Sequence, residues 1–450
     1  MVRVTDMTHG RPIRLILLFS LPLMLGSVFQ QLYTIVDTII IGRGVGMQAL
    51  ASIGAADWIN WLVLWGLQGF TQGFAILAAQ EFGAGAYDRL RRVLAMIVKL
   101  SCWFGIAVTI ISLLLVRPLL TLLHTDPAVF GGAQTYLYVQ FGGSLIIIAY
   151  NMAAAVLRCL GDSRTPLFAI IAASFANIAL DLLFVMGLGW GIFGASFATV
   201  LAQLIAFLLC LRSLRRLPFV QLTKADWKTD PAILLHLCRL GIPTGLQMSM
   251  ITLGGMVLQS VLNGFGVVFV AGYTAANKLY GILESASVAF GYAMTAYMGQ
   301  NRGARNAARI DAGIRAVLVL SAEFTAAIVT AMLVAGKPLL GLFLSTEEAG
   351  AADALAVAHR YLMVLMAFLF ALFMLQAYRS SLQGLGEMTV PTLSGFAEML
   401  MRMGAALVLP TFIGQSGVFF AEGAAWVCAA ALNLVWYYMR IGKIKRDMLQ

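Results

Sequence analysis

Charge is scarce in this chain of 450 residues: Asp, Glu, Lys and Arg make up 11% of it, and 61% is apolar. Soluble globular proteins hold roughly a quarter charged and a half apolar residues, so water is not the main solvent of this fold. Apolar runs of roughly 18 residues or more recur from end to end, leaving no room between them for a soluble domain. Cysteine is sparse as well. Cys102, Cys159, Cys210, Cys238 and Cys428 fall within or at the ends of apolar runs, without metal-ligand spacing or a paired pattern, and read as packing residues. His9, His124, His236 and His359 are scattered, and neither HExxH nor Gly-x-Gly-Asp occurs in an apolar run. The paired constellation of an intramembrane enzyme is therefore missing, as is an ATP-binding motif. The segment MVRVTDMTHGRP carries Asp6 and is followed by no small-residue cleavage site, so the first apolar stretch is expected to remain as a helix.

What is present reads as an all-α integral membrane protein of twelve transmembrane helices. They are expected near 13–41, 50–80, 93–117, 132–157, 165–186, 191–212, 235–262, 268–296, 312–334, 357–383, 391–411 and 416–440. Basic residues test the count, because cytoplasmic loops hold Lys and Arg back from translocation. With the amino terminus inside, 24 of the 30 Lys and Arg residues, from Arg3 to Arg446, fall in inner segments. Arg43, Arg117 and Lys337 fall outside, while Lys278, Arg360 and Arg402 lie within or at the edge of spans. This alternation predicts that both termini are cytoplasmic. The net charge of +10 is spread over short inner loops rather than gathered on one domain, so topology accounts for it and no nucleic-acid partner is expected.

The chain is duplicated. An offset of 220 carries Gln80, Gly83 and Ala84 of QEFGA onto Gln300, Gly303 and Ala304 of QNRGA, and Ala55 and Ala56 onto Ala275 and Ala276. LPLMLG at Pro22 answers IPTGLQ at Pro243, LGDSRTP at 160–166 answers LGEMTVP at 385–391, and Tyr136 and Leu137 answer Tyr361 and Leu362. The QxxGA and LGxxxxP motifs read as short inner turns that need glycine for unusual backbone angles and proline for a helix start. Six spans per half predict two pseudo-symmetric six-helix bundles around a central cleft, related by an axis along the membrane normal. The expected organisation is an amino lobe at 1–212, a cytoplasmic linker at 213–234, a carboxy lobe at 235–440 and a cytoplasmic tail at 441–450.

A charge at the bilayer centre costs from about 3 kcal/mol upward, so an acid within a span is a functional candidate. Asp126, Glu347, Glu348 and Asp353 fall in loops, which leaves Asp37, Asp181, Glu284, Glu323, Glu398 and Glu422, with Asp57 early in its span. Asp37 and Asp181 share a depth of roughly 6 to 8 Å from the outer ends of spans 1 and 5, counted at 1.5 Å per residue. Asn177 is one turn before Asp181, and Thr199 of span 6 lies at a comparable level. Two close carboxylates in a poorly solvated pocket cannot both be ionised cheaply, so the pair can hold a proton, and when deprotonated its oxygens suit Na⁺. The alternative is that both acids cap helix ends or face headgroup water. Tyr33 is one turn before Asp37, and Pro22 in the same span can mark a static kink or a moving bend. Trp58, Trp61 and Trp65 form a stripe on span 2 that packing or interfacial anchoring would explain, with Gln68 and Gln72 beside it as the better cavity candidates. Glu284, Glu323, Glu398 and Glu422 each stand alone in the second half, and any of them could face a cavity, pair with Lys278 or Arg402, or sit near a helix end. Glu284 ranks first among them, with a structural ion pair as its alternative.

The twelve-span duplication, QQLYTIVDTIIIGRGVG in span 1, AQEFGAG and GQNRGAR after spans 2 and 8, LRCLGDSRTP, and NIALDLLF in span 5 together resemble the multidrug and toxic compound extrusion (MATE) family over essentially the whole chain. The resemblance implies a secondary antiporter of the bacterial inner (plasma) membrane. It would export small-molecule organic cations or other amphipathic compounds against H⁺ or Na⁺ by alternating access. Such a protein needs no cofactor, and a monomer in the lipid bilayer is expected. Within the DinF-type branch the amino-lobe coupling network comprises an Asp of helix 1, an Asn and an Asp of helix 5 and a Thr of helix 6, which Asp37, Asn177, Asp181 and Thr199 match. Pro22 matches that branch's bending proline, and Gln30 and Tyr33 join the substrate or gating candidates with Gln68, Gln72 and Glu284. The NorM-type branch carries acids in helices 7 and 10, but here IPTGLQMSMITLGG and YLMVLMAFLFALFMLQAY hold none. The rival within the class is a flippase for lipid-linked precursors or a metabolite exporter of the same superfamily.

Overall fold

A computed structural model describes residues 4–343 and 350–449, so Arg3, Glu347 and Glu348 lie outside the described residues. The chain forms α1 (Pro12–Gly44), α2 (Met47–Gly83), α3 (Tyr87–Leu122), α4 (Pro127–Gly142), α5 (Ser144–Cys159), α6 (Arg164–Asp181) and α7 (Gly191–Arg215). It continues through α8 (Pro231–Asn263), α9 (Val267–Gly303), α10 (Ala307–Gly341), α11 (Ala351–Gly384), α12 (Thr389–Ile413) and α13 (Phe420–Leu449). By length and apolarity ten helices can cross a membrane alone, and the bent pair α4 and α5 makes an eleventh. The helix α9, 37 residues long but bearing Asn277, Lys278 and Glu284, completes the twelve-span pattern.

Local chemistry explains the boundaries. Proline opens α4 and α8, where its missing N–H costs nothing, and the preceding aspartates cap the free amides. Asp126 accepts from the Ala128 N–H at 2.8 Å, and Asp230 from those of Ala232 and Ile233 at 3.0 and 3.2 Å. The fourth span is not the single helix expected at 132–157. It bends by 50° between α4 and α5 at Gly143, where a Cβ would stand 2.5 Å from a methyl of Val200.

The duplication is visible in the backbone itself. Gly46 and Gly266, 220 residues apart, open α2 and α9 with φ of 106° and 89°. The glycines of QxxGA, expected to carry unusual angles, instead end their helices, and positive φ falls two residues later at Gly85 (67°) and Arg305 (54°). Gly161 (93°) and Gly386 (73°) fulfil the expectation for the other motif.

Compact packing groups the chain into two units whose divisions fall inside helices. One unit holds Leu21–Ser249 with the residues before Met7, and the other holds Met7–Ser20 with Met250 onward. Thus α1 and α8 each belong to both units, and the divisions fall close to Pro22 and Pro243. In the first unit two Gly-x-x-x-Gly pairs, Gly69 with Gly73 on α2 and Gly241 with Gly245 on α8, let the backbones touch. A Cβ at Gly73 would lie 2.6 Å from the Gly241 Cα. In the second unit the start of α1 packs on α9, where the Ser20 hydroxyl donates to the Ala289 carbonyl at 3.3 Å. The QNRGA motif clamps the segment before α1. Gln300 Oε1 accepts from the Met7 N–H at 2.8 Å, and the Arg309 guanidinium donates to the carbonyls of Met7 and Gly10 at 2.9 and 2.8 Å.

The segment at 213–234 is ordered against α3. Lys99 Nζ donates to the Trp227 carbonyl at 2.5 Å and to Thr229 Oγ1 at 2.9 Å. Burial would raise the Asp226 carboxyl, but the Thr223 N–H and hydroxyl, both at 2.7 Å, together with Arg91 and Arg92, hold it below the usual carboxylate range. A depressed folded value means that its stabilisation is present above the unfolded value near 3.8 and is lost as pH falls through the folded one. Amide exchange at residues 223–229 should accordingly accelerate on acidification below about pH 4, and Asp226→Asn should show the fast exchange already at neutral pH; unchanged exchange in the variant would refute the anchoring role. Gly73→Val should lower the melting temperature in detergent by several degrees, corresponding to about 1–3 kcal/mol of overpacking, whereas Gly54→Ala, where nothing lies within 4 Å of the added Cβ, should not.

Candidate functional site

Asp181 ends α6 and is fully buried, and Asn177, one turn earlier, is 1% exposed. Directly after Asp181 the helix widens into a π turn over Leu182–Gly187, a departure common at functional positions. Among the described residues, both oxygens of Asp181, both polar atoms of the Asn177 amide and Oδ1 of Asp37 have no hydrogen-bond partner. Asp37 on α1 is within electrostatic reach of Asp181. Two carboxylates can bond each other only with a proton between them, and otherwise their oxygens repel. The α1 helix runs on to Gly44, so Asp37 lies about 10 Å from its outer end, deeper than expected from sequence. Ile40, Ile41, Ala49, Val185 and Ala195 form an apolar cluster beside the acids, packed against Val36 and Ile178.

Tyr33, one turn before Asp37, is within electrostatic reach of both acids. Asp57 on α2 is within reach of Asp37. Asn60, one turn after Asp57, donates to the Tyr136 hydroxyl on α4 at 3.2 Å, and its own Oδ1 is buried without a partner. Tyr136 in turn faces Asp57, Tyr33 and Asp37. From sequence, Asp57 stands early in its span with no role attached, and Tyr136 marks only the repeat. The spacing of Asp57 and Asn60 on one helix face was the signal available.

The other candidates do not all converge. Thr199 Oγ1 bonds back to the Ala195 carbonyl at 3.2 Å, and no bond joins it to either carboxylate. Gln30 is exposed, and Gln72 keeps a buried Nε2 without a partner, far along α2 from Asp57. Trp58 meets Trp61 edge to face at 5.3 Å, while Trp61 and Trp65 remain 43% and 47% exposed.

The second half handles its charges differently: of the outcomes open to its glutamates, Glu398 and Glu422 take the pairing with Arg402. Arg379 pairs with Glu398 at 2.5 Å, and Arg402 pairs with Glu398 at 3.2 Å and Glu422 at 2.7 Å. Arg402 also donates to the Ile251 carbonyl at 3.0 Å, so the network ties α8, α11, α12 and α13 together. Glu284 pairs with neither Lys278, which is exposed, nor an arginine; it shares a hydrogen bond with the Tyr280 hydroxyl one turn earlier.

The MatE family profile matches residues 22–183 and 243–408, one match in each half of the duplication. The chain belongs to the MatE family. Over 454 aligned residues it is 31% identical to the probable multidrug resistance protein YpnP of Bacillus subtilis, covering 99% of this chain and 98% of that one. It is 24% identical to the probable multidrug resistance protein NorM of Thermotoga maritima, with 93% and 90% covered. In fold it is similar to an outward-facing multidrug resistance MATE transporter of the MOP superfamily, with a TM-score of 0.90 at 24% identity over 99% of each chain. A MOP superfamily transporter from Pyrococcus furiosus gives 0.91 at 24% identity over 98% of this chain and 99% of that one. This MatE chain is thus a multi-pass membrane transporter of the multidrug efflux class and not an enzyme.

Truncating one partner of a buried ion pair costs about 3–5 kcal/mol because the other charge is left alone. Arg402→Leu should therefore destabilise the protein by that amount in detergent melting, and adding Glu422→Gln should recover part of the loss. No recovery in the double variant would refute the pairing as the cause.

Proposed function

We propose that this MatE-family chain is a secondary active antiporter that exports organic cations or other amphipathic compounds in exchange for H⁺ or Na⁺, working as a monomer in a bacterial plasma membrane with both termini cytoplasmic. The observation that carries this reading is Asp181: a wholly buried acid in a span, without a protein partner, opposed to a second acid on α1. A group so placed is unfavourable when charged unless a cation or a proton joins it, and an exchangeable positive charge is what an antiporter supplies. Asn177 stands by as a neutral donor and acceptor, and Tyr33 lies beside both acids. On this mechanism an ion from outside loads the pair, α1 repacks around Pro22, and outward-facing affinity for substrate falls because ion and substrate are linked. The solved neighbours include MATE in bent and in straight conformations, which supports a fold with two packings.

Efflux of a fluorescent organic cation from proteoliposomes under imposed H⁺ or Na⁺ gradients tests the reading. Gradient-driven efflux should fall to background in Asp37→Asn and in Asp181→Asn. Full activity in both variants would sink the coupling site, and transport of a lipid-linked precursor without any gradient would replace the antiporter by a flippase.

A further inference from the structure

We propose that Asp57, with Asn60 and Tyr136 beside it, is a second loading position of the amino-half site, so that this half takes up two positive charges and not one. The count of positive charges in the exchange rests on the antiporter reading; the existence of a second protonatable position does not.

The argument begins with charge. Asp37 and Asp181 face each other and can share a single proton. A third carboxylate in electrostatic reach of Asp37, ten residues into α2 and so about 15 Å from its start, adds a charge that a proton on that pair does not neutralise. The groups that face it are Asp37 from α1 and Tyr136 from α4, and among the described residues no basic side chain is one of them. The Asn60 amide, 5% exposed, uses its N–H₂ on Tyr136 and leaves its carbonyl oxygen buried and free, an acceptor with room for a proton donor or a cation.

The duplication supplies an internal control. The offset of 220 carries Asp57 onto Asn277, and Tyr136 answers Tyr361. In the second half the Tyr361 hydroxyl bonds Asn277 Oδ1 at 3.3 Å and the Tyr273 hydroxyl at 3.0 Å. In the second half the tyrosine thus bonds a neutral amide at the position that Asp57 holds in the first, where Tyr136 instead accepts from Asn60. Among the described residues no hydrogen bond joins Asp57 to Tyr136, so its carboxylate adds a charge in a span without taking part in that bonding. What it adds is the capacity to take on and release a positive charge.

Purified protein in detergent can be titrated potentiometrically through neutral pH, counting protons taken up per chain. Asp57→Asn should remove one proton equivalent and Asp57→Glu should keep it. The double variant Asp37→Asn with Asp181→Asn should remove one more, and the triple variant should lose both. A titration curve of Asp57→Asn that superposes on wild type would overturn the proposal. So would a loss that disappears in the Asp37→Asn, Asp181→Asn background, since Asp57 would then only tune the pair. The proton count needs no transport, so a failure of cation efflux would leave this result readable on its own.

Discussion

Within hydrocarbon a charged side chain must find a partner or remain a source of strain, and every feature of this protein's interior follows from how that demand is met. The second half meets it structurally. Arg379, Glu398, Arg402 and Glu422 neutralise one another, and Arg402 also satisfies the Ile251 carbonyl, so four helices are held by one network. The first half leaves the demand open: among the described residues no basic side chain pairs with Asp37, Asp57 or Asp181, and the amides beside them keep unused atoms. A protein that needed only stability would have resolved both halves in the same way.

Helix packing sets where those acids stand. Apolar surface provides little attraction between helices in lipid, so close backbone approach matters more, and the glycines of α2 and α8 supply it. The same economy appears where Ser20 reaches the Ala289 carbonyl. Both contacts involve the opening turns of a helix whose remainder belongs to the other compact unit. Pro22 and Pro243 fall close to these divisions, and each removes a backbone bond where the helix changes neighbours.

Much of this was legible beforehand. Long apolar runs, alternating basic loops and the repeated QxxGA and LGxxxxP motifs specify twelve spans in two halves because membrane physics permits few alternatives. Their depth in the spans singled out Asp37 and Asp181 as candidates, though α1 carries Asp37 deeper than the count of residues suggests. The missing parts depended on contacts between helices distant in sequence. Nothing in the spacing of Glu398, Arg402 and Glu422 tells which arginine meets which glutamate, and Arg379 lies on another helix altogether. The bend falls at Gly143, where Val200 leaves no room for a Cβ, a contact that no local pattern announces. Thr199 gives its hydroxyl proton to its own helix, which leaves the lone pairs of its oxygen.

The contrast between the halves also bears on where an ion can act. Loading a positive charge onto the Arg402 network would disturb an arrangement already near balance, whereas loading it onto Asp37 and Asp181 would remove a repulsion between a buried and a partly buried carboxylate. Only the second kind of event changes the energy of a helix position in a direction that favours one packing over another. Asp37 rides on α1, whose first residues pack with the other unit and whose proline lies between. An ion bound at Asp37 would therefore act on the helix that also carries Pro22, where a missing backbone bond makes a change of packing least costly.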